Sequence, residues 1–230
     1  MKLNLVILSG AGMSAESGLS TFRDHNGLWE KYRIEDVCTP EAWARNPQLV
    51  LDFYNQRRHD LYKALPNNGH KAIAALEEHY NVTVITQNVD DLHERAGSTN
   101  VIHLHGELKK VRSSANENLI YDVDPQNPDT HLGDLCELGS QLRPHIVFFG
   151  ESVPMIEKAA EIVSHANILV IIGTSLNVYP AAGLLHHARH GIPIYLIDPN
   201  DVNYPPFRNI RHIHKGASAG MEELVHLLNP

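Results

Sequence analysis

The chain has 230 residues, 43% of them apolar, and a formal net charge of −8; that is enough for one large α/β domain with a buried core. The negative balance argues against non-specific nucleic-acid binding, which needs a basic surface, and no apolar run approaches the roughly eighteen residues of a membrane span. Two cysteines, Cys38 and Cys136, give no disulfide framework, and Met1–Leu8 lacks the basic and apolar regions of a secretory leader, so the expectation is a soluble, cytoplasmic protein without nucleic-acid or membrane partners.

The apolar run Leu3–Leu8 reads as a strand feeding a glycine turn and then a helix, Gly10 to Asp24 being GAGMSAESGLSTFRD. Gly10 allows the tight turn, Gly12 the approach of backbone N–H groups to a pyrophosphate, and Ala15 fills the third small position. The anion would sit at the helix N-terminus, where unpaired N–H groups and the helix dipole favour it. A plain glycine turn leaves the same pattern. A hydride-transferring dinucleotide fold should next place an acidic residue on a second strand about twenty residues on. This chain instead presents Ser14, Ser17, Gly18, Phe22, Arg23 and Asp24. In these residues it resembles the sirtuin family, the NAD-consuming protein-lysine deacylases, whose signature GAG-x-S-x-x-SGI-x-x-FR is matched with Leu19 in the isoleucine place. The resemblance implies NAD contacts from Gly10, Ala11, Gly12, Ser14, Ala15, Phe22 and Arg23.

Asn26–Ala44 is turn-rich and then helical, with a cap-like Thr39-Pro40-Glu41. Asn46-Pro47 opens a second helix through Ala64, Pro66-Asn67-Asn68-Gly69 breaks it, and His70–Tyr80 reads as a third. Tyr54 and Arg57 are three apart and share a helical face, where a phenol and a planar guanidinium can together bind a carboxylate; a packed tyrosine beside a solvated arginine is the plain alternative. Sirtuins that remove succinyl and other acidic acyl groups carry a Tyr-x-x-Arg pair in this segment, so the resemblance makes Tyr54 and Arg57 substrate-binding. Those relatives have Ala-Thr-Pro where this chain has Cys38-Thr39-Pro40, which narrows the expected acyl pocket.

Val82–Thr86 is a compact β-branched run, read as a buried parallel strand, and polar residues follow at its carboxyl end, where open α/β sheets bind ligands. An Asp/Asn helix cap would look similar. Thr86–His93 fits the family motif TQN-x-D-x-LH, which implies that Asn88 and Asp90 line the nicotinamide pocket and that Gln87 approaches the adjoining ribose. Val101–Leu104 reads as a short strand leading to His105-Gly106. The family's catalytic histidine precedes a glycine here, so His105 is the expected base, suited to take a ribose hydroxyl proton near neutral pH. His103, two residues back, lies on the same strand face.

In Lys109–Arg143 most sirtuins place two Cys-x-x-Cys pairs around zinc. This chain has Ser113, Asn116 and Gly139 near those places and retains Cys136 alone. One thiolate cannot make a four-ligand site, so no zinc is expected, and the module would rest on Leu119, Ile120, Leu132, Leu135 and Leu138. Sixteen histidines are scattered along the chain; His186 and His190, spaced i, i+4 on an expected helix, lack a third ligand and read as a solvated face, so no metal site is expected there either.

Ile146–Phe149 reads as a buried strand with Gly150 in its exit loop. By resemblance Val147, Phe149 and Gly150 pair with a substrate peptide by strand addition. A helix, Ile156–Ala166, and a strand, Ile168–Ile172, precede GTSLNVYPAA, which reproduces the family's GTS-L-x-V-x-P-A signature. Gly173, Thr174 and Ser175 would face NAD, and Asn177 and Val178 would flank the peptide. Pro193–Asp198 is a further strand; Asn200 follows, on the adenosine ribose in the family. Ile210–Lys215 leads to Ala217 on the adenine side.

The expected fold is α/β, a Rossmann-like, mostly parallel sheet with a smaller module built from two insertions. It forms a single catalytic domain over 1–230, with core segments 1–25, 81–106 and 144–230, a helical insertion at about 26–80, a degenerate zinc-ribbon-like insertion at about 107–143, and the substrate cleft between core and module. The resemblance implies an NAD-dependent deacylase, a deacetylase and desuccinylase, acting on acylated-lysine proteins or peptides and releasing nicotinamide and O-acyl-ADP-ribose, with catalytic His105, Asn88 and Asp90. An ADP-ribosyltransferase or NAD hydrolase on the same fold, and a non-catalytic NAD-binding regulator, remain open.

Overall fold

The computed structural model describes residues 2–20, 32–204 and 209–229. The elements, in chain order, are β1 (Asn4–Ser9), α1 (Gly12–Ala15), α2 (Ile34–Val37), α3 (Pro40–Arg45), α4 (Pro47–Lys63), α5 (Asn68–Ala75), a 3₁₀ turn (Leu76–Glu78), β2 (Asn81–Thr86), α6 (Leu92–Arg95), β3 (Val101–His103), β4 (Gly106–Ser113), β5 (Ile120–Asp122), β6 (Leu142–Ile146), α7 (Ile156–Ser164), β7 (Ile168–Ile172), a 3₁₀ helix (Ala181–His187), β8 (Ile194–Ile197), β9 (Ile210–Ile213) and α8 (Ala217–Leu228). They group into two compact units, one of Met1–Thr21, Leu65–Leu104 and Val153–Pro230, the other of Phe22–Ala64 and His105–Ser152.

The first unit is a six-stranded, wholly parallel sheet in the order β3-β2-β1-β7-β8-β9. Its strands are continuous apolar runs because both faces are covered. Val6, Leu8, Ile85, Leu169 and Ile171 pack on one side with Ala159 and Val163 of α7 and with Leu184 and Leu185. Leu5, Ile7, Val84, Val170 and Ile172 pack on the other with Ile73 of α5 and with Met221 and Leu224 of α8. Chain order reverses between β1 and β7, and in open sheets ligands bind at the strand carboxyl ends of such a crossing.

Helix α5 begins two residues earlier than the pattern suggests. Asn67 accepts the His70 N–H at 3.2 Å while His70 Nδ1 accepts the Asn67 N–H at 3.3 Å, so both ends of the cap are satisfied. Its last turn tightens to 3₁₀ at Leu76. The stretch bearing His186 and His190 is not an α-helix: the 3₁₀ helix ends at His187, both histidines are exposed, and the i, i+4 relation loses its meaning.

The second unit joins α2, α3 and α4 to a three-stranded antiparallel sheet ordered β5-β4-β6. Thr39 and Asn46 cap α3 and α4, accepting the N–H groups of Ala42 and Leu49 with proline next in each chain. The strand expected at Ile146–Phe149 is displaced to Leu142–Ile146, at the sheet edge, where Pro144 is tolerated. Beyond Ile146 the amides leave the ladder: Val147 N–H goes to His105 O (3.0 Å), Phe148 N–H to Glu151 Oε2 (2.7 Å) and Phe149 N–H to Cys38 O (2.9 Å).

The apolar patch expected to support residues 109–143 is corrected too. Ile120, Leu132, Leu135 and Leu138 are 44–63% exposed. Polar groups tie this segment down instead. Fully buried Arg58 donates from Nε to Leu108 O (2.6 Å) and from Nη1 to Pro128 O (2.6 Å) and Asn55 Oδ1 (2.9 Å). Asn55 and Thr130 exchange two further hydrogen bonds. Ser113 Oγ accepts from Ala115 N–H, Asn116 N–H and the Cys136 thiol, at 3.2, 3.2 and 3.4 Å.

One buried pair in the first unit makes the fold acid-sensitive. His70 and His93 meet edge to face at 4.8 Å, and burial lowers both pKa values, that of His70 to about 4. A histidine held neutral in the fold but free to protonate when unfolded contributes no loss above pH ~6.5, and stability falls as pH drops from there towards the folded value. His70 alone predicts a loss of about 3 kcal/mol between pH 8 and pH 4, with His93 acting in the same direction. Urea unfolding of wild type and His70→Gln across that range tests this; a variant whose loss matches wild type contradicts it.

Candidate active site

The turn after β1 is built by backbone meeting backbone. Gly10 N–H donates to Ile172 O at 3.0 Å and Gly12 N–H to Gly173 O at 2.9 Å. A Cβ on Gly10 would stand 2.7 Å from Gly173 O, and one on Gly12 2.8 Å from Gly173 Cα. Gly173 itself has φ +64, and a Cβ there would strike Met13 N and Gly12. Gly12 thus has a packing role that the sequence pattern does not show: its N–H is engaged by Gly173 O, and its missing side chain makes room for Gly173. Helix α1 is only four residues long, with Ala11 at its N-cap and Ala15 at its end. Phe22 and Arg23 lie outside the described residues.

Three polar side chains converge beside this turn. Asn88 Nδ2 donates to Ser14 Oγ at 3.1 Å, and that hydroxyl donates to Asp90 Oδ2 at 2.9 Å. All three are buried. Burial raises the Asp90 pKa, opposed by the Leu92 N–H on Oδ1, the Ser14 hydroxyl and the charge of His103. Below them Thr86 Oγ1 accepts from Asn88 N–H (3.0 Å) and from Ser9 (2.8 Å), so the second lone pair of Ser9 receives His93 Nε2–H at 3.0 Å. The loop is thus fixed by a buried polar chain, and the amide, hydroxyl and carboxylate together offer donors and acceptors fitted to a carboxamide.

On the neighbouring loop, buried Thr174 accepts from Gln87 Nε2 (3.2 Å) and from Leu176 N–H (3.3 Å). Leu176 has φ 56, a left-handed conformation that a leucine holds only where its surroundings impose it. Ser175 and Val178 are half-buried and Asn177 is exposed. After β8, Asp198 Oδ1 accepts from Asn200 N–H and Nδ2. Ala217 is buried at the start of α8, whose Ser218 N–H donates to Glu16 Oε1 at 3.1 Å; this cap is one that the sequence pattern does not reveal.

The second unit holds the remaining expected residues. Half-buried His105 receives Val147 N–H on its carbonyl. Tyr54 is buried, stacks on Phe148 at 6.0 Å, and lies 3.3 Å from Cys38 Sγ. Burial raises the Tyr54 phenol well above its usual range and raises the Cys38 thiol, so both are neutral near pH 7 and the phenol keeps its proton. The Arg57 guanidinium lies 5.8 Å from the Tyr54 ring centre and 5.7 Å from that of Phe53, so the shared helical face exists. Phe149 is exposed beside Gly150 (φ +92).

Glu151 holds this loop and was not singled out from sequence. It takes Arg143 Nη1 at 2.7 Å, Arg112 Nη2 at 3.2 Å and the Phe148 N–H. Burial works against its ionised form, yet these donors keep its pKa below the ordinary value. Its partners lie eight and thirty-nine residues back, a separation no local pattern reveals.

Comparisons with known proteins bear on the family and the fold. The Sir2 family model matches residues 10–180. A Bacteroides thetaiotaomicron protein named NAD-dependent protein deacylase is 57% identical over 230 residues, covering 99% of this chain and 98% of its own. A Sir2 homologue variant solved with ADP-ribose superposes with TM-score 0.89 at 40% identity, covering 99% of this chain and 92% of that one. A Sir2 homologue–NAD complex gives 0.87 at 40% identity, covering 99% and 90%. With its parallel sheet, its glycine turn and its Ser14–Asn88–Asp90 cluster, the chain belongs to the Sir2 family.

Proposed function

We infer that this chain is an NAD-dependent protein-lysine deacylase that accepts acidic acyl groups such as succinyl as well as acetyl. The observation that carries the reading is the buried Asn88–Ser14–Asp90 chain at the carboxyl end of a parallel strand, a donor set fitted to the carboxamide of nicotinamide. Gly10, Ala11, Gly12, Ser14, Ala15, Gln87, Gly173, Thr174, Ser175, Asn200 and Ala217 would hold the rest of NAD. NAD, when bound, would supply a ribose carbon that bonds to the acyl oxygen as its bond to nicotinamide breaks; addition of one water would then free the lysine amine and leave nicotinamide and O-acyl-ADP-ribose. His105 takes a ribose hydroxyl proton, for which an imidazole is suited near neutral pH. Val147, Phe149, Gly150, Asn177 and Val178 would receive the peptide; Gly150 is the favoured point because the amides of residues 147–149 are engaged internally.

Specificity for acidic acyl groups follows from Tyr54 and Arg57. The neutral phenol donates to a carboxylate while the guanidinium supplies charge. Replacing Arg57 with Ala is expected to lower kcat/KM on a succinyl-lysine peptide about thirty-fold, the worth of one charge-assisted contact, and on the acetyl-lysine peptide less than about three-fold. Equal losses on both peptides contradict the assignment.

The chain is further read as zinc-free and cytoplasmic. Support for the first is that Ser113 receives, through its hydroxyl, the backbone N–H groups and the Cys136 thiol at a place where family members hold metal. Among the described residues no His, Cys, Asp and Glu group of metal-binding geometry is found. Metal analysis of untagged protein is expected to return no zinc; one zinc per chain overturns this. The compartment rests on two free, buried cysteines, and no described helix is long and apolar enough to cross a membrane.

A further inference from the structure

His103 ends β3, and its ring bridges two acceptors. Nδ1 lies 3.1 Å from the backbone oxygen of Asn88, and Nε2 lies 2.7 Å from Glu94 Oε1 on α6. A carbonyl oxygen only accepts, and so does an ionised carboxylate, so this geometry asks for two N–H donors. A neutral imidazole has one. The His103–Glu94 pair therefore holds one shared proton, written in its charge-assisted form as imidazolium facing carboxylate. The His103 side chain is only 9% exposed and that of Glu94 39%, so water competes for the carboxylate far more than for the ring.

The bridge reaches the site through Asn88. His103 fixes the Asn88 carbonyl, the Asn88 amide donates to Ser14, and Ser14 donates to Asp90. The charge of His103 also favours the ionised form of Asp90 against its burial, while it disfavours protonation of His93 on the same helix as Glu94. Five groups thus form one chain from solvent-facing Glu94 to buried Asp90.

We propose that His103, held by Glu94, is a positioning residue for NAD that fixes the Asn88–Asp90 loop in the arrangement that reads the carboxamide. The proposal rests on the reading of Asn88 and Asp90 as nicotinamide-facing groups. It assigns no proton transfer to His103; it acts through the loop.

Calorimetric titration of the full chain with NAD and, separately, with ADP-ribose, which lacks the nicotinamide, tests it. His103→Phe keeps a flat ring and removes both donors; Glu94→Gln keeps a hydrogen-bonding side chain and removes the charge. His103→Phe is expected to weaken NAD about ten-fold, the scale of one hydrogen bond lost from a buried carbonyl, and Glu94→Gln about three-fold, since the side chain still holds the ring and only the charge is gone. The double variant should bind no more weakly than His103→Phe, since both changes break one chain. ADP-ribose affinity should stay within about two-fold throughout. Equal weakening of NAD and ADP-ribose marks a merely structural role and overturns the proposal, as do unchanged NAD binding or additive effects. A wild-type chain that binds neither ligand overturns the functional reading itself, and this proposal with it.

Discussion

The close approach of Gly10 and Gly12 to Gly173 is the constraint on which the candidate site depends. Two adjacent parallel strands, β1 and β7, end together, and their exit turns meet chiefly through main-chain atoms, with the Thr174 side chain also against Gly10. Any side chain at these three glycines would push the turns apart by more than hydrogen bonds of 2.9–3.0 Å survive. That contact sets where Ser14 begins its hydrogen-bond chain and where Thr174 receives Gln87. Glycine is thus needed here for packing between loops, in addition to any approach of a phosphate.

The two units solve the problem of buried polar groups in different ways. The first concentrates them at the strand carboxyl ends and satisfies them with each other, from Ser9 and Thr86 through Asn88, Ser14 and Asp90. Such a chain is stiff because an unmade buried hydrogen bond costs about 1–3 kcal/mol. The second unit buries charge: Arg58 under the 108–130 segment, and Arg112 and Arg143 around Glu151. Arg143 also stacks on Phe148 at 3.8 Å, and Phe148 in turn on Tyr54. The acyl-reading face proposed for Tyr54 and Arg57 therefore stands on an ion-paired floor.

Much of this was legible in the sequence where local rules decide the outcome. Leu3–Leu8, Val82–Thr86 and Ile168–Ile172 are apolar runs too short for helices, and each is a central or near-central parallel strand. Thr39-Pro40 and Asn46-Pro47 carry their helix starts on their face. Where tertiary context decides, the reading fails. The apolar run Ile146–Phe149 looks like a strand, but the amides of residues 147–149 are taken by His105, Glu151 and Cys38, and His105 and Cys38 lie far away in the chain. Ile120, Leu132, Leu135 and Leu138 look like part of a small core, yet they are exposed, and Arg58, Asn55 and Ser113 supply the ties. His103 reads as an ordinary strand residue until the fold brings Glu94 and the Asn88 carbonyl to its two nitrogens.

The most direct measurement is mass spectrometry of paired acetyl-lysine and succinyl-lysine peptides incubated with the wild-type chain, with and without NAD, while free nicotinamide is followed in the same samples. The account predicts loss of both acyl groups only when NAD is present, with one nicotinamide released for each lysine freed. Nicotinamide accumulating while both peptides stay acylated would contradict it, and would leave a Sir2-family fold whose acceptor is something other than acyl-lysine.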